Sequence, residues 1–151
     1  MAHVIRPARP DDAPAIQACA RQAYARYVPR IWRPPAPMAA DYAALIAAGD
    51  VSVATGADGG FLGFIVFRAA GRDLLLENVA VLPGAAGRGI GKALIAHCEQ
   101  AARAQGAAAV RLYSNTKMTE NLALYPRLGY TETARRSEDG FERVYFEKRL
   151  A

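Results

Sequence analysis

Apolar residues recur along this chain in two rhythms, one of helices and one of strands. Ile16, Cys19, Ala20, Ala23 and Tyr27 recur at helical spacing. They follow Asp11-Asp12-Ala13-Pro14, which opens a helix with Asp11 as its N-cap and both acids favouring the dipole. Met38, Tyr42, Leu45 and Ile46 form the stripe of a second helix, running from about Pro37 to Ala48, and Gly49 can end it. Ile90, Leu94, Cys98 and Ala101 face inward on a third, stopped by Gly106, and a fourth runs from Met118 to about Leu128, stopped by Gly129. Strands are predicted at His3 to Arg6, Val51 to Thr55, Phe61 to Phe67, Asp73 to Val81, Val110 to Tyr113, Tyr130 to Arg135 and Arg143 to Lys148. The run Leu74-Leu75-Leu76, then Val79-Ala80-Val81, is apolar on both faces, as a central strand covered by helices requires. The order is β-α-α-β-β-β-α-β-α-β-β, an α/β (α+β) chain with a mixed sheet and helices on both faces.

Composition narrows the class. At 151 residues the expectation is one domain over residues 1–151, with enough burial to need neither metal nor disulfide. With 52% apolar and 22% charged residues, disorder is not expected, and no stretch is long and apolar enough for a membrane span. The N-terminus lacks a signal-peptide core, so a soluble, cytoplasmic protein is the default. Cys19 and Cys98 lie in predicted helices without a CxxC or zinc spacing and read as small core residues. His97 lies one heptad after Ile90 and reads as packed, and a metal site lacks ligands. The net charge of +5 rests mainly on Arg, but the basic residues do not cluster with interleaved aromatics, so no nucleic-acid partner is expected. Richness in Ala and Arg, with three Lys, points to a GC-rich bacterial source.

The strongest chemical signal is Gly84-Ala85-Ala86-Gly87-Arg88-Gly89-Ile90-Gly91-Lys92, between a strand and a helix. Glycines at a helix start expose backbone N–H groups, and with the dipole they form an anion site that Arg88 and Lys92 reinforce. It is not a P-loop, because position 86 is Ala and position 93 is Ala where Gly and Ser or Thr are needed. It is not a dinucleotide loop, because Gly87, Gly89 and Gly91 give GxGxG rather than GxGxxG. Tight turns alone are the other account of these glycines.

Val79-Ala80-Val81-Leu82-Pro83 followed by Gly87-Arg88-Gly89-Ile90-Gly91-Lys92-Ala93-Leu94 resembles the acetyl-CoA motif of the GNAT superfamily of N-acetyltransferases. Asn121-Leu122-Ala123-Leu124-Tyr125-Pro126-Arg127-Leu128-Gly129-Tyr130 resembles that family's helix ending in Y-x-x-x-G-F/Y. The resemblance spans essentially the whole chain and implies a mostly antiparallel sheet of six or seven strands. It implies that N–H groups of Ala86, Gly87, Arg88, Gly89, Ile90, Gly91 and Lys92 hold the pyrophosphate of acetyl-CoA. Val79, Ala80 and Val81 would meet the pantetheine arm in a slot between splayed strands ending near Val81 and Tyr113. Asn121 would contact the arm from the other wall, and Tyr125 would be the acid that protonates the departing thiolate. The family usually has Gln or Arg where this chain has Ala86, so a side-chain contact is lost. Pro126 is expected to loosen the last helical turn beside Tyr125.

Glu77 is the best candidate for a base or relay, expected by alternation to share the face of Val79 and Val81 in an apolar strand. Asn78 is either a substrate contact or the cap of a bulge. The acceptor pocket is expected from Tyr24, Tyr27, Arg30, Trp32, Arg33 and Tyr42, with Phe141 and Arg143 opposite. The resulting expectation is a bacterial-type N-acetyltransferase that moves acetyl from acetyl-CoA to a primary amine by direct attack in a ternary complex, without a metal. The acceptor is expected to be a small amine or amino-acid-like molecule. A protein N-terminus or lysine is the second acceptor class, and a non-catalytic acyl-CoA sensor on the same fold is the alternative. A homodimer fits the resemblance; a membrane partner does not.

Overall fold

The structure is a computed structural model that describes residues 3–31, 36–38, 40–138 and 140–150. Among the described residues, seven strands form one sheet: β1 (His3–Pro7), β2 (Val51–Gly56), β3 (Phe61–Ala70), β4 (Asp73–Val81), β5 (Ala109–Asn115), β6 (Thr131–Glu138) and β7 (Phe141–Arg149). Their order is β1-β2-β3-β4-β5-β7-β6, and every neighbouring pair is antiparallel except β4 with β5. The parallel pair is joined by α4 (Ile90–Ala104), the crossover helix such a connection requires.

The other helices are α1 (Ala13–Tyr24), α2 (Val28–Ile31), α3 (Tyr42–Ala47) and α5 (Thr119–Arg127). The predicted second helix is therefore shorter: a 3-10 turn over Ala36–Met38 precedes α3. The predicted cap also moves. Asp12, not Asp11, holds the N-cap position of α1, and its carboxylate is taken by Arg6 at 2.8 Å and by the Arg9 N–H at 2.7 Å. Asp41 caps α3 by accepting from the Ala44 N–H at 3.1 Å.

Two apolar clusters pack on opposite faces of the sheet. α4 sends Ile90, Leu94, Ile95 and Cys98 against Leu74, Leu76, Val110 and Leu112, with Tyr125, Tyr130 and Phe146 beside them. α1 and α3 send Ile16, Cys19, Tyr24, Tyr42 and Ile46 against Val51, Val53, Phe64, Val66 and Ala80. Both cysteines are fully buried core residues. His97 is half-buried, with its ring 5.9 Å from that of Phe67. Among the described residues, no helix is long and apolar enough to cross a membrane.

Candidate active site

The parallel pair provides the opening. β4 and β5 are in register only at Leu74 with Val110 and Leu75 with Arg111. Beyond that point β4 continues to Val81 and β5 to Asn115 without pairing. The gap is a cleft of about 250 Å³. Leu76, Glu77, Asn78 and Val79 line one wall and Leu112, Tyr113, Ser114 and Asn115 the other. Met118, Asn121 and Tyr125 close it from α5 and the turn before it, Tyr24 and Tyr42 from the helices, and Phe141 and Arg143 from β7.

A bulge in β4 decides what faces this cleft. Val66 of β3 pairs with Asn78, but its neighbour Phe67 pairs with Leu76, so Glu77 is the extra residue. Leu74 and Leu76 consequently pack in the cluster under α4, whereas Ala80 packs in the cluster under α1. Strict alternation would have put all three on one face. The expected sharing of a face by Glu77, Val79 and Val81 is overturned by this residue. Val79 and Val81 pack toward α4, and the Glu77 carboxylate meets Arg68, whose strand partner Leu75 lies on the other face. The setting is polar rather than apolar: Oε1 of Glu77 accepts from Arg68 Nε at 2.5 Å, and the side chain is 29% exposed.

The same register orients the backbone. The Leu82 N–H bonds the Leu62 carbonyl at 2.9 Å. Alternation along an antiparallel pair then turns the N–H and C=O groups of Val79 and Val81 away from β3, toward the gap, and those of Ala80 toward Phe64. β3 can lie this close because residue 63 is Gly: a Cβ there would come within 2.6 Å of the Ala80 carbonyl oxygen.

Asn78 is held at both ends of its amide. Its Oδ1 accepts from the Tyr24 hydroxyl at 2.5 Å, and its Nδ2 donates to the Tyr42 oxygen at 2.8 Å. The Tyr24 hydroxyl also lies 3.1 Å from the Val79 carbonyl, and the Tyr42 hydroxyl donates to the Pro37 carbonyl. Burial raises the pKa of both phenols. Asn78 thus braces the bulge between two helices.

Tyr125 reaches the cleft from the end of α5. Its carbonyl accepts from the Leu128 N–H at 3.0 Å and the Tyr130 N–H at 3.1 Å, while the Gly129 N–H bonds the Pro126 carbonyl at 3.1 Å. With Gly129 at φ +94°, these bonds form a Schellman ending. The expected loosening by Pro126 is overturned: the helix continues to Arg127 and its last carbonyls are closed by this motif. The Tyr125 ring packs 5.8 Å from Tyr130 and 5.7 Å from Phe146, and burial pushes its phenol well above the ordinary range.

The glycine loop lies past the end of β4, outside the lining of the cleft. Gly87 and Gly89 have φ +83° and +77°, a backbone that favours glycine. The Ala93 N–H bonds the Gly89 carbonyl at 3.0 Å, so the N–H groups of Ile90, Gly91 and Lys92 precede the first turn's bonds. Ala86, Gly87, Arg88 and Gly89 are exposed.

The cleft thus brings together Glu77, Asn78, Val79, Asn121 and Tyr125 of the residues singled out in the sequence, with Tyr24, Tyr42, Phe141 and Arg143 of the expected acceptor pocket. Tyr27 does not line it, being 3% exposed under the Arg30 guanidinium at 5.3 Å. Arg30 pairs with Glu120 at 2.9 Å. Trp32 and Arg33 lie outside the described residues. Sequence reasoning missed Ser114, Asn115 and Met118. The polar Ser114-Asn115 that ends the β5 run was the available signal, and Met118 joins by accepting from Ser114 Oγ at 3.7 Å and Asn121 Nδ2 at 3.8 Å. The described cleft-lining side chains carry one acid, Glu77, and one base, Arg143, whose guanidinium lies 4.4 Å from the Tyr113 ring centre. Among the described residues, no cluster of His, Cys, Asp or Glu is placed to hold a metal.

Comparison with known proteins follows the same lines. The family profile described as acetyltransferase (GNAT) domain matches residues 47–132, more than half of the chain. Streptothricin acetyltransferase of Streptomyces lavendulae is 35% identical over 80 residues, 52% of this chain and 42% of that protein, so the match spans less than half of the relative. The PaiA N-acetyltransferase of Thermoplasma acidophilum, solved in complex with coenzyme A, superposes with TM-score 0.81 at 20% identity, over 99% of this chain and 100% of that one. The ribosomal-protein-S18-alanine N-acetyltransferase of Escherichia coli superposes with TM-score 0.76 at 19% identity, over 99% and 95%. At these identities, the superpositions speak for the fold.

Proposed function

The chain belongs to the GNAT acetyltransferase family, and on that premise we propose that it moves an acetyl group from acetyl-CoA to a primary amine by direct attack in a ternary complex. The observation that carries this reading is the splayed parallel pair, with the backbone of Val79 and Val81 turned into the gap and Tyr125 across it. An extended arm with amides can add to β4 there as a strand would. The N–H groups at the start of α4, with Gly87 and Gly89 beside them, suit its pyrophosphate.

The reaction then needs an amine placed against the thioester carbonyl and a managed proton on each side. The amine nitrogen forms the new C–N bond as the C–S bond breaks. The thiolate takes the proton of the Tyr125 hydroxyl, which burial keeps protonated, and the tyrosinate regains a proton from solvent as the products leave. Glu77 relays the proton lost by the amine, as the carboxylate that lines the cleft among the described residues. Direct transfer is supported by the thiols of Cys19 and Cys98, which are buried with pKa pushed up to about 12 and unsuited to nucleophilic attack.

The acceptor is read as a small amine or amino-acid-like molecule. Among the described residues the compact cleft is lined by one acid, Glu77, and by the cation Arg143, which does not favour a polycation. The curated relative is named for streptothricin, also without a protein in its name. Calorimetry with acetyl-CoA, using ATP as control, and then CoA release across a panel of amines, tests the reading. Micromolar binding and release with small amines are expected. No binding at millimolar acetyl-CoA overturns it. Binding without release above hydrolysis leaves a CoA-binding domain. Release with peptides alone moves the acceptor to a protein N-terminus or lysine.

A further inference from the structure

A buried carboxylate lies behind Tyr125 and takes no part in the chemistry above. Glu99, on the inner face of α4, is 7% exposed. Its Oε2 accepts from the Tyr130 hydroxyl at 2.9 Å and its Oε1 from Lys148 Nζ at 2.9 Å. The Lys148 ammonium also lies 5.7 Å from the centre of the Tyr130 ring, and its stem passes so close to Gly129 that a Cβ there would meet Cε at 3.2 Å. Two elements, α4 through Glu99 and β7 through Lys148, therefore converge on one side chain.

That side chain is Tyr130, which is bound to Tyr125 twice. Its N–H closes the Schellman motif on the Tyr125 carbonyl at 3.1 Å, and its ring packs edge-on against the Tyr125 ring at 5.8 Å. A hydrogen bond to a carboxylate that is itself paired with Lys148 adds a directional anchor to the packing that buries this ring to 3% exposure. The motif that resembles the family's accepts Phe or Tyr at this place, and only Tyr carries the hydroxyl.

We infer that Tyr130, anchored through Glu99 and Lys148, is a positioning residue that fixes the Tyr125 hydroxyl at the cleft. The inference rests on the acid role proposed for Tyr125. Misplacing a reacting group by a fraction of an ångström is enough to slow a step without loosening the bound donor.

A double-mutant cycle tests it on the whole chain. Tyr130→Phe keeps the ring and leaves Glu99 with Lys148, so the fold should persist. The variant is expected to lower kcat about tenfold while the KM for acetyl-CoA stays within about twofold. In the Tyr125→Phe background the same change is expected to move kcat by less than about twofold, because the group it positions is gone. Equal factors in both backgrounds, or no fall in the parent, overturn the inference. A Tyr125→Phe enzyme with parental kcat overturns the acid role itself, a separate result. Should Tyr130→Phe not fold, Lys148→Met reaches the same carboxylate from the surface and is read in the same cycle, with the same outcomes deciding.

Discussion

The hydroxyl of Tyr24 and the side-chain oxygen of Asn78 meet at 2.5 Å although 54 positions separate them in the chain. Through this bond and the adjacent Val79 carbonyl, α1 holds the wall of the cleft from behind. Tyr24→Phe leaves the buried Asn78 oxygen without that donor. It should cost about 1–3 kcal/mol, read as a lower urea midpoint. Asn78→Ala should cost a similar amount and raise the KM for acetyl-CoA as the bulge relaxes. Parental stability in both variants would remove the brace.

Gly63 makes the second prediction. A Cβ at this position would lie 2.6 Å from the Ala80 oxygen and 3.1 Å from Val81 Cα, both backbone atoms that cannot swing aside. Gly63→Ala should therefore push β4 toward the gap. The expected cost is about 1–3 kcal/mol, accompanied by weaker acetyl-CoA binding in calorimetry. Unchanged affinity would show that the position of β4 does not govern the donor site.

Gly89 separates conformation from chemistry. It sits at φ +77° with open space where a Cβ would go, so substitution costs backbone strain rather than a clash. Gly89→Ala should destabilise by about 1–2 kcal/mol and reduce acetyl-CoA affinity by turning the first N–H groups of α4. Gly71, at φ +64° and equally open, is the control. Gly71→Ala should destabilise similarly and leave affinity unchanged. Equal losses of affinity in both variants would mean that strain alone accounts for the effect.

Alkaline pH should unfold this protein early. Burial raises the phenols of Tyr24, Tyr42, Tyr125 and Tyr130 above their ordinary value near 10, and the thiols of Cys19 and Cys98 from 9.0 to about 12. These groups stay protonated in the folded chain while the unfolded chain ionises. Their contribution is complete below about pH 8 and is lost as pH rises, first through the thiols and then through the phenols. Each can cost up to ~1.4 kcal/mol per pH unit above its unfolded value. Urea midpoints from pH 7 to 11 measure this; a midpoint that stays level above pH 10 contradicts it.

Much of this architecture was legible from local pattern. The stripes at Ile16–Ala20 and Ile90–Cys98 and the turn glycines placed the main helices and strands, because burial on one side leaves a periodic trace. The glycine loop was visible for the same local reason. The bulge was legible only as one of two readings of Asn78, and its place at Glu77 was not, because only the partner strand reveals that two residues oppose one. The brace on Asn78 joins three distant segments, and no local pattern encodes such a meeting. Pro126 misled in the opposite direction. Its cost is real inside a helix, but at the second-last position the closing bonds come from Gly129 and Tyr130, further along the chain.

The bulge in β4 also acts as a counter. Leu74 and Leu76 answer to one core and Ala80 to the other only because one residue between them is left out of the pairing. The fold itself asks little of the side chain at position 77, whose head reaches Arg68 and solvent, so a carboxylate there serves the proposed relay rather than the packing. Removing the residue is different, because it would exchange inside for outside along half the strand and withdraw the backbone of Val79 and Val81 from the gap. The length of this stretch is therefore fixed by the fold, independently of the chemistry its side chains supply.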